Sequence, residues 1–257
     1  MNEPAPQERP AATTIIFRDR PGSAPELLFM ERSSGMAFAA GALVFPGGAV
    51  DAEDFAFAAS MDTALAVDEA AARIGAIRET LEESGLAIGF REAPDHGVAG
   101  KIREAMLAGE PFAALLAGAE LALDLDRLVP FARWHPNVKE GAPRVFDTRF
   151  YLARWMEGSP EPTPDSTENV HLFWATAQDV LDRHIGGEVK IIFPTRRNLE
   201  RLAPFQSFDQ AVSHASRYPV EKVTPWIEDR DGRPSLCIPE GMGYPVTHEA
   251  LETAFRG

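Results

Sequence analysis

Cysteine is almost absent from this chain. Cys237 is its single thiol, so no intrachain disulfide can form, and a reducing, cytoplasmic setting is expected. No apolar run approaches the roughly 18 residues that a membrane-spanning helix needs, and the polar, proline-bearing Met1–Pro10 segment lacks the apolar core of a signal peptide. Positive charge is scarce: 25 Lys and Arg face 39 Asp and Glu, a net charge of -14. That balance argues against a nucleic-acid partner, which would need a basic face. It leaves room for a small anionic substrate held by a local arginine cluster and a metal. No G-x-x-x-x-G-K-[ST] segment occurs, which excludes a P-loop nucleotidase. The six histidines are scattered without H-x-x-x-H or H-E-x-x-H spacing, which argues against a zinc site.

What the chain does have is concentrated acid. Arg78-Glu79-Thr80-Leu81-Glu82-Glu83-Ser84-Gly85-Leu86 places three carboxylates and one arginine within about two helical turns, then stops at a glycine. At 100° per residue, Arg78, Glu82, Glu79 and Glu83 occupy one arc of about 140°. Ile74, Ile77 and Leu81 fall on the neighbouring arc and are expected to face a core. Glu79 and Glu83 are like charges at i,i+4 and repel; a divalent cation would offset them. A solvated acidic helix face is the alternative. It leaves unexplained a second signal upstream, Phe45-Pro46-Gly47-Gly48 followed by Glu53, in which Gly47 and Glu53 bracket five residues.

Strands are expected at 12–18, Glu26–Arg32, Leu128–Trp134, Val145–Trp155 and His171–Ala175, from β-branched and aromatic runs bounded by turn residues. Pro46-Gly47-Gly48 reads as a tight turn. Helices are expected at Phe55–Ala66, at Glu69–Ser84 with Asp68 as N-cap and Gly85 beyond its end, at Thr176–Arg183, Arg197–Leu202 and Phe208–Arg217. Residues 93–125 read as a helical insertion, and Asp231-Gly232 as the turn of a late hairpin. The expected organisation is a flexible tail over 1–10 and one domain over 11–257. The mixture of strands and helices with short β connections favours an α/β/α sandwich around a mixed sheet.

The two pieces, G-x5-E and then R-E-x-x-E-E-x-G followed by an apolar residue, resemble the Nudix box of the Nudix hydrolase superfamily. Residues 54–77 interrupt the box, where the common form is much shorter, and Thr80 stands at a usually aliphatic position. A branch with an interrupted box of this kind includes the peroxisomal coenzyme A diphosphatases and their bacterial relatives. Leu27–Ser33, Gly41 and Phe45–Gly48 are similar to a motif of that branch, although Ala37 stands where a second arginine is frequent. Arg144–Tyr151 and Phe193-Pro194-Thr195 with Leu199 extend the resemblance.

The resemblance implies the same sandwich fold and hydrolysis of a nucleoside diphosphate linked to another moiety. Coenzyme A or an acyl-CoA is the foremost substrate; ADP-ribose, NADH and dinucleotides compete, as does a non-catalytic nucleotide-binding role. It implies Mg²⁺ or Mn²⁺ held by Glu79, Glu82, Glu83 and the backbone at Gly47, with Glu79 an alternative base and Arg78 orienting a glutamate. Glu53 and Gly85 take structural parts in the box, and relatives are often homodimers. Arg32, Ser33, Gly48, Arg144 and Arg149 are candidates for contacting substrate. Arg32 could equally cap a strand edge, and Arg149 could pair with Asp147 on the same strand face. Glu168 is a candidate general base or an ordinary loop carboxylate.

Overall fold

The computed structural model describes residues 8–32, 41–135, 145–164 and 169–254. Its centre is the strand β1 (Glu8–Arg18), whose side chains are buried on both faces. Ala12 and Ile16 point into one core, Ile15 and Phe17 into the other, as period-2 alternation requires of a strand covered on both sides. β1 pairs antiparallel with β2 (Glu26–Arg32) and parallel with β6 (Val145–Arg154). With β3 (Leu43–Val44), β5 (Val129–Trp134) and β8 (Lys222–Val223) the path reads β3-β2-β1-β6-β5-β8. β4 (Gly47–Ala49) is added on β1 and β7 (Asn169–Thr176) on β2.

One face of this mixed sheet carries α1 (Ala52–Ser60) and α2 (Val67–Ser84), with α3 (His96–Leu107) and α4 (Phe112–Gly118) packed beyond them. The other face carries α5 (Ala177–Ile185), α6 (Phe193–Leu202) and α7 (Phe208–Ala215). The α/β/α sandwich is therefore present. Thr176 caps α5: its hydroxyl accepts the Asp179 amide at 3.1 Å. A small sheet of β9 (Trp226–Arg230), β10 (Arg233–Cys237) and β11 (His248–Ala250) follows, and α8 (Leu251–Ala254) closes the described chain. Asp231 and Gly232 both take positive φ between β9 and β10, the hairpin geometry that an Asp-Gly pair favours. Among the described residues no helix is long and apolar enough to cross a membrane.

Several expectations need correcting. β1 starts at Glu8, inside the segment expected to be a tail, because Glu8, Arg9 and Pro10 pair with Val145, Phe146 and Asp147. Gly47 and Gly48 do not make a tight turn. They lie in β4, opposite Thr13 and Ala12, so strand pairing overrides their turn-like composition. α1 stops at Ser60. α2 begins at Val67 with Ala66 as its N-cap, which puts Asp68 inside the first turn.

Arg149 and Asp147 do not pair with each other. The Asp147 carboxylate, buried in β6, accepts two hydrogen bonds from Arg133 of β5 (2.7 and 2.6 Å) and lies 2.8 Å from the Lys222 ammonium of β8. Burial alone would raise its pKa, but the hydrogen bonds from Arg133 and Lys222 hold it well below the usual carboxylate range. A depressed folded-state pKa contributes stability above the unfolded value of about 3.9 and loses it as pH falls through that region. Asp147→Asn should therefore cost about 2–3 kcal/mol near neutral pH. Denaturant titrations at stepped pH should show that difference shrinking below about pH 4.

Candidate active site

α2 supplies the acidic face. Ile74, Ile77 and Leu81 are fully buried in the core beneath it, which fixes the rotation of the helix and turns Glu79 and Glu83 towards β4 and Glu82 towards Arg78. Thr80 is also fully buried. Its hydroxyl donates to the Ala76 carbonyl (2.7 Å) and meets the Thr14 hydroxyl at 3.1 Å, so a polar side chain is satisfied at a core position. Gly85 ends the helix in the left-handed conformation, φ 72°.

Arg78 organises the cluster. Its guanidinium donates to both carboxylate oxygens of Asp54 (3.1 and 3.0 Å), to Glu79 (2.9 Å) and to the Ala49 carbonyl (2.9 Å). Asp51 at 3.4 Å and Glu82 at 3.5 Å complete the ring. The i,i+4 pairing of Arg78 with Glu82 is thus present but peripheral, and Asp54 is the principal partner. Burial by itself would lower the Arg78 pKa. The Asp54 hydrogen bonds and the surrounding carboxylates instead hold it above its ordinary value.

Glu53 is the first correction. Its side chain is exposed on α1, whereas Asp54 is 2% exposed and takes the arginine. Sequence spacing contained the signal, since Gly48 and Asp54 bracket five residues just as Gly47 and Glu53 do. Only the geometry selects between the two frames.

The two glycines serve different contacts. Gly47 has φ +154°, and a Cβ there would lie 2.3 Å from the Ala12 carbonyl oxygen. Its amide donates to Glu83 at 2.8 Å. At Gly48 a Cβ would lie 2.5–2.6 Å from the Glu79 carboxyl group, so the missing side chain is what lets Glu79 rest on β4. Burial pushes the Glu79 carboxyl up to about 7, with Glu82 adding to the rise against the pull of Arg78. Burial likewise raises Glu82. One arginine does not fully compensate this much buried negative charge.

Among the described residues no three His, Cys, Asp or Glu side chains converge as a preassembled metal cage. Glu79 and Glu82 turn to Arg78, and Glu83 to the Gly47 amide. The donor set nevertheless fits a hard divalent cation. It is all oxygen, and its raised carboxyl pKa values mark the strain that added positive charge would relieve.

Arg149 does not join this cluster. It pairs with Asp68 (2.7 Å) and Glu69 (3.4 Å) in the first turn of α2, about 15 Å along the helix from Glu79, because β6 delivers it to the other end of the helix. Ser33, Arg144 and Glu168 lie outside the described residues, as does the side chain of Arg32 at the end of β2. One contact had no signature in the sequence. Arg103 of α3 donates to the Glu82 carbonyl (2.8 Å), to the Thr163 hydroxyl (2.8 Å) and to the Thr163 carbonyl (2.9 Å). The insertion is thereby fastened to the last turn of the acidic helix.

No protein-family model matches the chain. A Nudix hydrolase structure from Alicyclobacillus acidocaldarius superimposes with a TM-score of 0.71 at 29% identity, covering 81% of this chain and 96% of that one. An acyl-coenzyme A diphosphatase of Gallus gallus is 26% identical over 88% of this chain and 76% of its own length. That of Homo sapiens is 24% identical over 85% and 71%. With the interrupted box closed in space around Arg78 and these relatives matched over most of its length, the chain has the Nudix hydrolase fold and is a distant homologue of these Nudix hydrolases.

Proposed function

We propose that this protein is a divalent-cation-dependent pyrophosphohydrolase that cleaves the diphosphate of coenzyme A or an acyl-CoA, giving 3′,5′-ADP and an (acyl-)phosphopantetheine. The observation that carries the catalytic part is that Glu79 and Glu82 converge on Arg78 while the neighbouring Glu83 accepts the Gly47 amide of β4. The substrate part draws support from the two acyl-coenzyme A diphosphatases to which most of the chain is similar.

Diphosphate hydrolysis is slow because anionic phosphorus repels a nucleophile, so catalysis needs charge neutralisation and a positioned water. Glu79, Glu82, Glu83 and the backbone at Gly47 would hold Mg²⁺ or Mn²⁺, which supplies that neutralisation when bound. Arg78 sets the rotamers of Glu79 and Glu82 through its fixed fork of donors. Asp54 and the Ala49 carbonyl fix Arg78 in turn. Gly48 lets Glu79 lie flat on β4. Glu83, tied to the Gly47 amide, sets the distance between α2 and β4.

The test is a panel of CoA, acyl-CoA, ADP-ribose, NADH and dinucleoside polyphosphates with Mg²⁺ or Mn²⁺, read as phosphate released by a coupled phosphatase. CoA or an acyl-CoA should give the highest kcat/KM, and EDTA should abolish turnover reversibly. Glu83→Gln keeps an oxygen for the Gly47 amide. It should therefore fold normally while kcat falls on the order of 100-fold. Turnover insensitive to EDTA and to Glu83→Gln, or no turnover of any member, would refute the proposal.

The glycines give a paired test. In Gly48→Ala the nearest atoms to the new methyl are those of the Glu79 side-chain carboxyl rather than backbone, so it should melt closer to the wild-type temperature than Gly47→Ala yet lose most activity. Gly47→Ala meets the β1 backbone, so it should lower the melting temperature sharply. Equal behaviour of the two variants would contradict these assigned contacts.

A further inference from the structure

Beyond the C-terminal end of α2 lies a cavity of about 780 Å³, within the usual 300–1,000 Å³ range of small-molecule sites. Its inner wall is apolar and buried: Leu86, Ile88 and Phe90 from the segment after α2, and Ala99 from α3. Polar groups stand at its rim, with Asp95, His96 and Arg127 all exposed. Met156 also lines it and is 52% exposed, a large apolar side chain left facing open space.

The position of the cavity matters more than its size. Gly85, on its wall, is three residues from Glu82, about 4.5 Å of helix rise. The helix α3 that closes it is the one whose Arg103 grips the Glu82 carbonyl. A molecule whose diphosphate sits on Glu79, Glu82 and Glu83 would meet this cavity on leaving the helix end. A polar-to-apolar gradient from rim to inner wall suits a chain with amides near one end and methylenes at the other.

We propose that this cavity receives the acyl-pantetheine tail of the substrate, so that the 93–125 insertion is a chain-binding wall. The proposal rests on the acyl-CoA reading of the carboxylate cluster, and its test is arranged to separate the two. Turnover is measured for CoA and for acetyl-, butyryl-, octanoyl- and dodecanoyl-CoA. In parallel, S-octanoyl-pantetheine, which has the tail but no diphosphate, is titrated calorimetrically. Both are repeated on Ala87→Trp, which fills the cavity from a partly buried position on its wall, and on Met156→Asp, which charges its exposed side.

The expected result is a kcat/KM that rises up to about fourfold per added methylene until the cavity is full. Saturable binding of S-octanoyl-pantetheine is also expected. In both variants the chain-length dependence and the binding should disappear. Met156→Asp changes an exposed residue, so it carries the test if Ala87→Trp fails to fold. Turnover of CoA with a flat chain-length profile and no thioester binding would overturn the tail site alone. Thioester binding lost in the variants, without turnover of any CoA, would keep the tail site and overturn the catalytic reading. Neither binding nor turnover would overturn both.

Discussion

The site depends on one buried guanidinium. Arg78 faces Asp51, Asp54, Glu79 and Glu82, and without its positive charge these carboxylates would repel one another in a half-buried place. Its bidentate bond to Asp54 draws on the planar donor fork that only arginine has. Its bond to the Ala49 carbonyl joins β4 to the same centre. Three elements, β4, α1 and α2, thus meet on one side chain. This also explains how the box tolerates its interruption. Asp54 and Arg78 are far apart in sequence but hydrogen-bonded in space, and lengthening a loop costs little once its ends are pinned.

Much of this was legible in the residues, and the limits are physical. The rotation of α2 followed from the spacing of Ile74, Ile77 and Leu81, because burial of an apolar arc dictates where the acidic arc points. The helix end followed from Gly85. The choice between Glu53 and Asp54 did not follow, since two glycines in a row give two equally good frames and only packing decides which acid is buried. The turn expected at Pro46–Gly48 failed for a related reason: glycine permits a turn without requiring one, and pairing with Ala11–Thr13 determines the outcome. Arg149 was drawn towards the phosphates by its motif. Strand register shows where it goes, since it neighbours Ala12 on β1 and reaches the first turn of α2.

The insertion illustrates a different limit. Its helical periodicity was readable, but its purpose lies in contacts between distant segments. Arg103 bridges the last turn of α2 and the loop at Thr163, holding α3, the acidic helix and the segment after β6 as one unit. Positive charge at a helix C-terminus is favourable in its own right, so this bond stabilises the end of α2 where the site and the cavity adjoin. The second core, under α5–α7, backs the sheet from the other side and holds β1 in place without contributing to the acidic cluster.

The central claim is that this carboxylate cluster binds a divalent cation. Electron paramagnetic resonance of Mn²⁺ tests it most directly, because free and bound ions are counted without reference to any substrate. Titration of the wild-type protein should remove the free Mn²⁺ signal saturably, and a variant carrying Glu79→Gln, Glu82→Gln and Glu83→Gln should leave that signal unchanged while melting as a folded protein. Equal Mn²⁺ uptake by the two proteins, or none by the wild type, would contradict the account.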